Sequence, residues 1–257
     1  MWKGFLKSMR RFDIISDIHG CFYELKLLLE KLGYVEGLDG LYRKEDRVLI
    51  SVGDIVDRGP SSAMVFKFVS SMVDAGLMMM VRGNHDDKLM RWAKGRGVVL
   101  NHGLDKTARD MVLNEISEKE IVRFIESLPY YLFLDDGKLV VVHASWKKSL
   151  LERDPFSKKC RSRCLYGPNT GKTLPSGYPD RIDWVPNRNM EGEVPIVVYG
   201  HQVYKEVRVE NKTYGIDTGS AFGGKLTALR YPELEIVQVK SRIYDQSKPE
   251  LWGEKNE

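Results

Sequence analysis

Apolar positions along the first half of the chain keep two alternating rhythms. Short runs at Phe12–Ile15, 47–52 and 77–81 read as strands. Between the first two, Leu25, Leu28, Leu29 and Leu32 recur at helical spacing, and Gly33 ends the run. Within 61–75, Val65, Phe66, Val69 and Met72 repeat that spacing. Residues 87–128 read as further helices, stopped by Pro129. Beyond it the pattern turns to strands: Tyr131–Leu134, Leu139–Val142, Ile196–Tyr199, 213–216, 226–230 and 236–239. Asp136-Gly137 marks a hairpin between the first two. A βαβ half is thus followed by a half expected to be mostly antiparallel. Two sheets packed face to face with helices outside reconcile the two, giving an α/β (α+β) class. No linker-like stretch separates the halves, so one domain is expected over 1–245, with 246–257 a loose tail.

Composition is ordinary for a globular chain: 257 residues, 42% hydrophobic and 30% charged, with a net charge of +4. That charge is too mild to indicate a nucleic-acid binder by itself. It is also uneven. The segment 147–188, rich in Pro, Gly, Ser and Asn, holds ten basic and four acidic residues. Its weak periodicity reads as a basic insertion or lid, or as a solvated loop. Three cysteines, Cys21, Cys160 and Cys164, do not suggest a disulfide framework, and a reducing cytoplasm is the expected location. The basic start lacks the apolar stretch of a secretory signal, and no run suffices to cross a bilayer.

The candidate chemistry lies at strand ends. Of five histidines, His19, His85, His143 and His201 each follow an apolar run within a few residues. Asp17 and Asn84 flank the first two, and Asp54 and Asp57 sit after another strand. Carboxylate and imidazole without thiolate are the ligands of manganese, iron or zinc rather than of a cysteine-type structural zinc. The supply is too rich for one ion. Two ions sharing a bridging carboxylate is the arrangement used for displacement at phosphorus. Arg58 adds a planar fork suited to phosphate oxygens. Gly167-Pro168-Asn169-Thr170-Gly171-Lys172-Thr173 mimics a phosphate-binding loop, but three residues rather than four separate its glycines, and Pro175 and Pro179 follow where a helix should run.

Asp17-Ile18-His19-Gly20, Gly53-Asp54-Ile55-Val56-Asp57-Arg58-Gly59, Gly83-Asn84-His85-Asp86, His143-Ala144 and Gly200-His201 together resemble the five motifs of the phosphoprotein-phosphatase superfamily of calcineurin-like metallophosphoesterases. The resemblance implies a four-layer fold, two mixed sheets packed as a sandwich and flanked by helices. It also implies two divalent cations, manganese first, with iron, zinc, nickel or cobalt as alternatives. By the same resemblance Asp17, His19 and His201 hold the first ion, Asp54 bridges, and Asn84 and His143 hold the second. His85 is the implied general acid, oriented by Asp57, while Arg58 holds phosphoryl oxygens and a metal-held hydroxide attacks in line. The family's second phosphate-clamping arginine has no motif; Arg161 or Arg163 is the expectation. Asp86 stands where many members have Glu, and Ser145 and Gln202 depart from the usual residues at the pocket rim.

A narrower likeness runs through Asn101-His102-Gly103-Leu104, Tyr166-Gly167, Ile216-Asp217-Thr218-Gly219 and the stretch from Phe222 to Arg230. It resembles a bacterial subgroup that includes asymmetrical-type bis(5'-nucleosyl)-tetraphosphatases and the phosphatase domain of polynucleotide kinase-phosphatases. This implies a phosphohydrolase acting on dinucleoside polyphosphates such as diadenosine tetraphosphate, with Asp217 near the site and His102 as either a substrate contact or a packing residue. A protein serine/threonine phosphatase and an RNA or DNA end phosphatase remain alternatives, so the expected partner is a nucleotide, a phosphoprotein or a nucleic-acid end. No membrane and no obligate protein partner are expected. A scaffold without catalysis would have lost His85 or Asp54, and both are present.

Overall fold

The computed structural model describes residues 11–175, 177, 179–188 and 194–243; the expectations for the basic start and the tail lie outside them. In chain order the elements are β1 (Phe12–Ile15), α1 (Phe22–Leu32), β2 (Val35–Glu36), β3 (Tyr42–Arg43), β4 (Val48–Ser51), α2 (Ser62–Asp74) and β5 (Met78–Met80). There follow α3 (Asn84–Ala93), α4 (Leu104–Leu113), α5 (Glu118–Glu126), β6 (Tyr131–Leu134), β7 (Leu139–Val142) and α6 (Lys158–Tyr166). The rest are strands: β8 (Asn169–Thr173), β9 (Pro179–Arg181), β10 (Ile196–Tyr199), β11 (Arg208–Glu210), β12 (Thr213–Gly215), β13 (Lys225–Tyr231) and β14 (Glu235–Lys240).

Two five-stranded mixed sheets form the frame. The first has the order β14-β13-β1-β4-β5, with β1, β4 and β5 parallel and the β13–β14 hairpin antiparallel beside β1. The second has the order β11-β12-β10-β7-β6. Most pairings of the second half are antiparallel as expected, including β6–β7, β8–β9, β11–β12 and β13–β14, but the centre of this sheet is not. β7, β10 and β12 run parallel, and only β6 and β11 at the edges are antiparallel. Parallel neighbours need a long crossover, usually carrying a helix. Residues 147–188 lie in that crossover, between β7 and β10. The segment is therefore part of the architecture rather than an insertion. It contains α6 and the exposed β8–β9 hairpin, neither anticipated from its periodicity.

Three apolar layers hold the frame. Leu25 and Leu28 of α1, Val69 of α2 and Phe124 of α5 pack on Ile15, Leu49 and Met80 of the first sheet. Ile14, Ile50 and Met79 meet Val141 and Val198 between the sheets. Trp146, Cys160, Cys164 and Leu165 cover Val140, Val142 and Val197 on the outer face of the second. Burying each such side chain contributes about 1.5–3 kcal/mol. Helix ends follow local chemistry: Gly33 closes α1 at φ 83°, and Ser117 with Glu120 forms a reciprocal capping box on α5. The three thiols are free and buried. Among the described residues no helix is long and apolar enough to cross a membrane.

Candidate metal centre

The turns that follow β1, β4, β5, β7 and β10 meet at one edge of the sandwich. Their backbone is unusual. His19, Asp54, Asp57, Arg58 and His201 all take positive φ, between 46° and 71°. Such conformations cost a non-glycine residue of order 1 kcal/mol or more and persist only where surrounding contacts impose them. Here the imposing contacts are visible. Gly20 N–H donates to Ile55 O, Gly59 N–H to His19 O, and the amides of Ile18 and His19 share Asp54 O. Asp86 adds a buried clip: its carboxylate accepts from the amides of Gly83, Asp54 and Ile55 at 2.9, 2.8 and 3.1 Å. Two glycines allow close approach. A Cβ on Gly83 would stand 2.1 Å from Asp54 Oδ1, and one on Gly200 would stand 1.9 Å from Asp17 Oδ1.

Two groups of donor atoms converge on Asp54: His19, Asp54 and His85 on one side, and Asp54, His143 and His201 on the other, each with its atoms within 4.8 Å of one another. Asp54 belongs to both. His19 Nδ1 donates to Val56 O at 2.7 Å, leaving Nε2 to face Asp54 Oδ2 at 3.7 Å. His143 Nδ1 donates to Val52 O at 3.0 Å, leaving Nε2 at 3.4 Å from Asp54 Oδ2. His201 Nδ1 lies 3.1 Å from His143 Nε2. The end of the Asn84 amide lies 2.9 Å from His143 Nε2 and 2.8 Å from His201 Nδ1. The ring of His201 therefore stands with His143 and Asn84, and not with Asp17 and His19 as expected. The Gly200 turn is the reason: it turns the His201 N–H onto Asp17, at 3.1–3.2 Å, and the ring away.

Charge inside the cluster is unbalanced. Burial, and then the charges of Asp217 and Asp54, raise the Asp17 carboxyl well above its ordinary value. Burial raises Asp54 likewise. The imidazoles are pushed down: burial and the charge of His85 lower His19, burial and His143 lower His201, and burial brings His143 to about 4. His201 Nε2 is buried without a hydrogen-bond partner. Neutral imidazoles with lone pairs turned inward, around carboxylates that repel one another, are a donor set that divalent cations complete. The residues present fit the cations their types imply.

Beside the cluster, His85 Nδ1 lies 2.6 Å from Asp57 Oδ2, and its backbone N–H donates to Asp54 Oδ1 at 2.8 Å. Arg58 Nη2 lies 3.4 Å from His85 Nε2, and its guanidinium stacks 4.8 Å from the ring centroid of Phe222.

A family model described as calcineurin-like phosphoesterase matches residues 10–218. The chain belongs to that family. It is 44% identical over 246 residues to the bis(5'-nucleosyl)-tetraphosphatase PrpE (asymmetrical) of Bacillus velezensis, covering 92% of this chain and 96% of the relative. Against the protein of the same name from Anoxybacillus flavithermus the identity is 43% over 237 residues, 90% of this chain and 95% of the relative. A crystal structure described as a candidate diadenosine tetraphosphatase superposes with a TM-score of 0.64 at 23% identity, covering 91% of this chain and 95% of that one. Calcineurin-like metallophosphoesterases use divalent metals, and the buried Asp and His groups offer them donors.

Other expected residues of this phosphoesterase chain are distributed unevenly. Asp217 is brought to the cluster: buried, it accepts from Gly219 N–H at 3.0 Å, and burial lifts it to about 6. His102 is exposed, but its charge is felt at His85, and the adjoining Gly103 packs on the Arg58 backbone. Arg161 and Arg163 are not brought to the donor cluster. Arg161 is gripped by Asp87 at 2.6 and 3.2 Å. Arg163 lines a separate cavity of about 240 Å³ with Trp146 and Trp184. Sequence reasoning missed Arg181, at the end of β9. Its positive charge contributes to lowering both His143 and His201. No motif marks it, and β9 lies in the crossover between β7 and β10.

Proposed function

We propose that this chain is an asymmetrically cleaving dinucleoside tetraphosphatase, which hydrolyses diadenosine tetraphosphate or a related nucleotide with two divalent cations, manganese first. The observation that carries the substrate is the 43–44% identity, over nearly the full length of both chains, to tetraphosphatases of that name. The chemistry is supported independently by the donor cluster. Asp54, common to both groups, would bridge the ions. Asp17 and His19 would serve one ion, and Asn84, His143 and His201 the other. Such ions supply Lewis acidity toward phosphoryl oxygens and make water acidic enough to act as a nucleophile near neutral pH.

The chain's own groups do the rest. Arg58 and Arg181 bind the equatorial phosphoryl oxygens, and Phe222 holds the Arg58 guanidinium flat. Burial and the nearby charge of Arg58 keep His85 neutral in the free protein. An arriving phosphate anion offsets that charge and favours the imidazolium, which Asp57 steadies through Nδ1. His85 then gives its Nε2 proton to the departing oxygen. The buried, free thiols support a cytoplasmic location.

The deciding experiment is a substrate panel with manganese-loaded protein: diadenosine tetraphosphate, a phosphoserine peptide and a 3'-phosphorylated oligonucleotide. Conversion of the dinucleotide to ATP and AMP, faster than phosphate release from the other two, is expected. Preference for the peptide or the oligonucleotide would replace this reading with a protein phosphatase or an end-healing one.

A further inference from the structure

Asp87, on the first turn of α3 three residues after Asn84, is buried and surrounded by arginines. Arg161 meets it with two bonds, at 2.6 and 3.2 Å. Arg91 Nε lies 3.2 Å from Oδ2, and Arg82 Nη1 lies 3.8 Å from Oδ1. Among the described residues no second carboxylate comes within ion-pair distance of these three guanidiniums, so two positive charges are left over. Arg82 is spent on structure: it stacks on Tyr130 and donates to the carbonyls of Glu126 and Leu128. Arg91 and Arg161 are different. Their side chains are 31% and 33% exposed, so each presents an open face to solvent while Asp87 fixes its position.

That pair is tied to the metal centre by α3, whose first turn carries both Asn84 and the Asp87 that holds the two arginines. Tyr166 lies under the Arg161 guanidinium, 5.7 Å from its ring centroid. Its hydroxyl is held protonated by burial, and it feels the charges of Arg161, Asp87, Arg91 and Asp54. Arg58 and Arg181 suffice for one phosphoryl group, yet a polyphosphate carries further anionic groups along its chain. A fixed pair of guanidiniums with surplus charge is suited to bind them, and preorganisation by Asp87 lowers the entropic cost of that grip.

We propose that Arg91, Arg161 and Tyr166 form a subsite for the phosphate chain that extends beyond the reacting phosphoryl group. It rests on the tetraphosphatase reading for the identity of the chain's owner, and it makes that reading directional. The surplus charge lies on one side of the centre, so a long chain is held in one register and one bridging oxygen is presented for cleavage.

Two measurements on manganese-loaded protein test it. The first is the ratio of kcat/KM for diadenosine tetraphosphate to that for p-nitrophenyl phosphate, which has no chain. In R161Q the ratio is expected to fall about tenfold or more, chiefly through KM for the dinucleotide. The second is inhibition of p-nitrophenyl phosphate hydrolysis at fixed free manganese. Inorganic tripolyphosphate is expected to lose about tenfold in potency on R161Q, and orthophosphate much less. Equal weakening of both anions, or an unchanged ratio, overturns the subsite. R91Q, which leaves the Arg161–Asp87 pair intact, serves if circular dichroism shows R161Q misfolded. Failure of the wild type to cleave diadenosine tetraphosphate would remove the functional reading alone; the tripolyphosphate comparison would still decide the subsite.

Discussion

His85 Nδ1 stands 2.6 Å from Asp57 Oδ2, with ring and carboxylate both buried. Burial raises Asp57 to about 6, while Thr107, Lys88 and Arg58 pull it back down. The pair is therefore a proton-handling unit placed beside the donor cluster, fixed at one end and open at Nε2. H85A is expected to retain bound manganese while kcat falls about 10²–10⁴-fold. D57N, which leaves the ring in place but weakens its support, should lower kcat about 10–100-fold. Metal content by elemental analysis and steady-state kinetics check both. Loss of metal from H85A would make it a ligand instead, as its grouping with His19 and Asp54 allows.

Cation binding should weaken in mild acid, chiefly because the raised Asp17 and Asp54 carboxyls regain protons there while the imidazoles stay neutral. His143 sits at about 4 in the folded chain, and His19 and His201 are also lowered. An unfolded histidine takes up a proton below about pH 6.5. The stability these neutral rings contribute is thus complete above that value and is lost as pH falls toward the folded ones. The carboxylates run the other way. Asp57 and Asp217 at about 6 and Asp86 at about 7 lie above the ordinary value, so ionising them costs stability as pH rises from about 4. A divalent cation offsets that cost. The rise in Tm on adding manganese is expected to be largest at about pH 7.5 and to shrink steadily by about pH 5.5, since ligands must shed protons to bind. An equal rise at both pH values would contradict the donor set.

Gly200→Ala places a methyl group on the Asp17 carboxylate, where a Cβ would lie 1.9 Å from Oδ1. Asp17 must shift or the His201 turn must open. A loss of about 1–3 kcal/mol in stability is expected. Manganese affinity should fall at least about tenfold, since such sites depend on supporting geometry. Calorimetric titration and thermal melts separate the two effects.

R181A should lower kcat/KM about 10²-fold on any phosphoryl substrate, because it removes one charge-assisted arm at the reacting group. Initial rates on p-nitrophenyl phosphate suffice to check it. An unchanged rate would return the second phosphate arm to an unidentified residue.

The 147–188 segment offers a contrast between lid and layer. Leu165 is fully buried with Cys160, Cys164 and Trp146 against the second sheet. Leu165→Ala is expected to cost about 2–4 kcal/mol, as in a core. A lid residue would cost nearly nothing. Urea denaturation gives the answer.

The donor residues were legible because strand ends concentrate them: an apolar run followed by Asp or His is a local pattern, and it recurs. The left-handed turns that aim these residues could be inferred only from neighbouring glycines. Partner strands were less legible. The parallel run of β7, β10 and β12 depends on a crossover whose helix, α6, alternates base with small residues and hides its few buried positions, Cys160, Cys164 and Leu165. Arg181 was missed for the same reason. Arg161 was noticed for its charge, but the carboxylate that holds it, Asp87, is distant in sequence and carries no motif.

The two halves of the cluster come from different sheets: His19 and Asp54 follow β1 and β4, whereas His143 and His201 follow β7 and β10. The group of Asp54, His143 and His201 draws on both layers, so the second sheet cannot hold its ion without the first. Any ion so held acts as a rivet across the interface, favouring the closed sandwich by mass action. Starving cells of divalent metal should therefore leave not only an idle protein but a looser one, more readily cut by proteases along the seam.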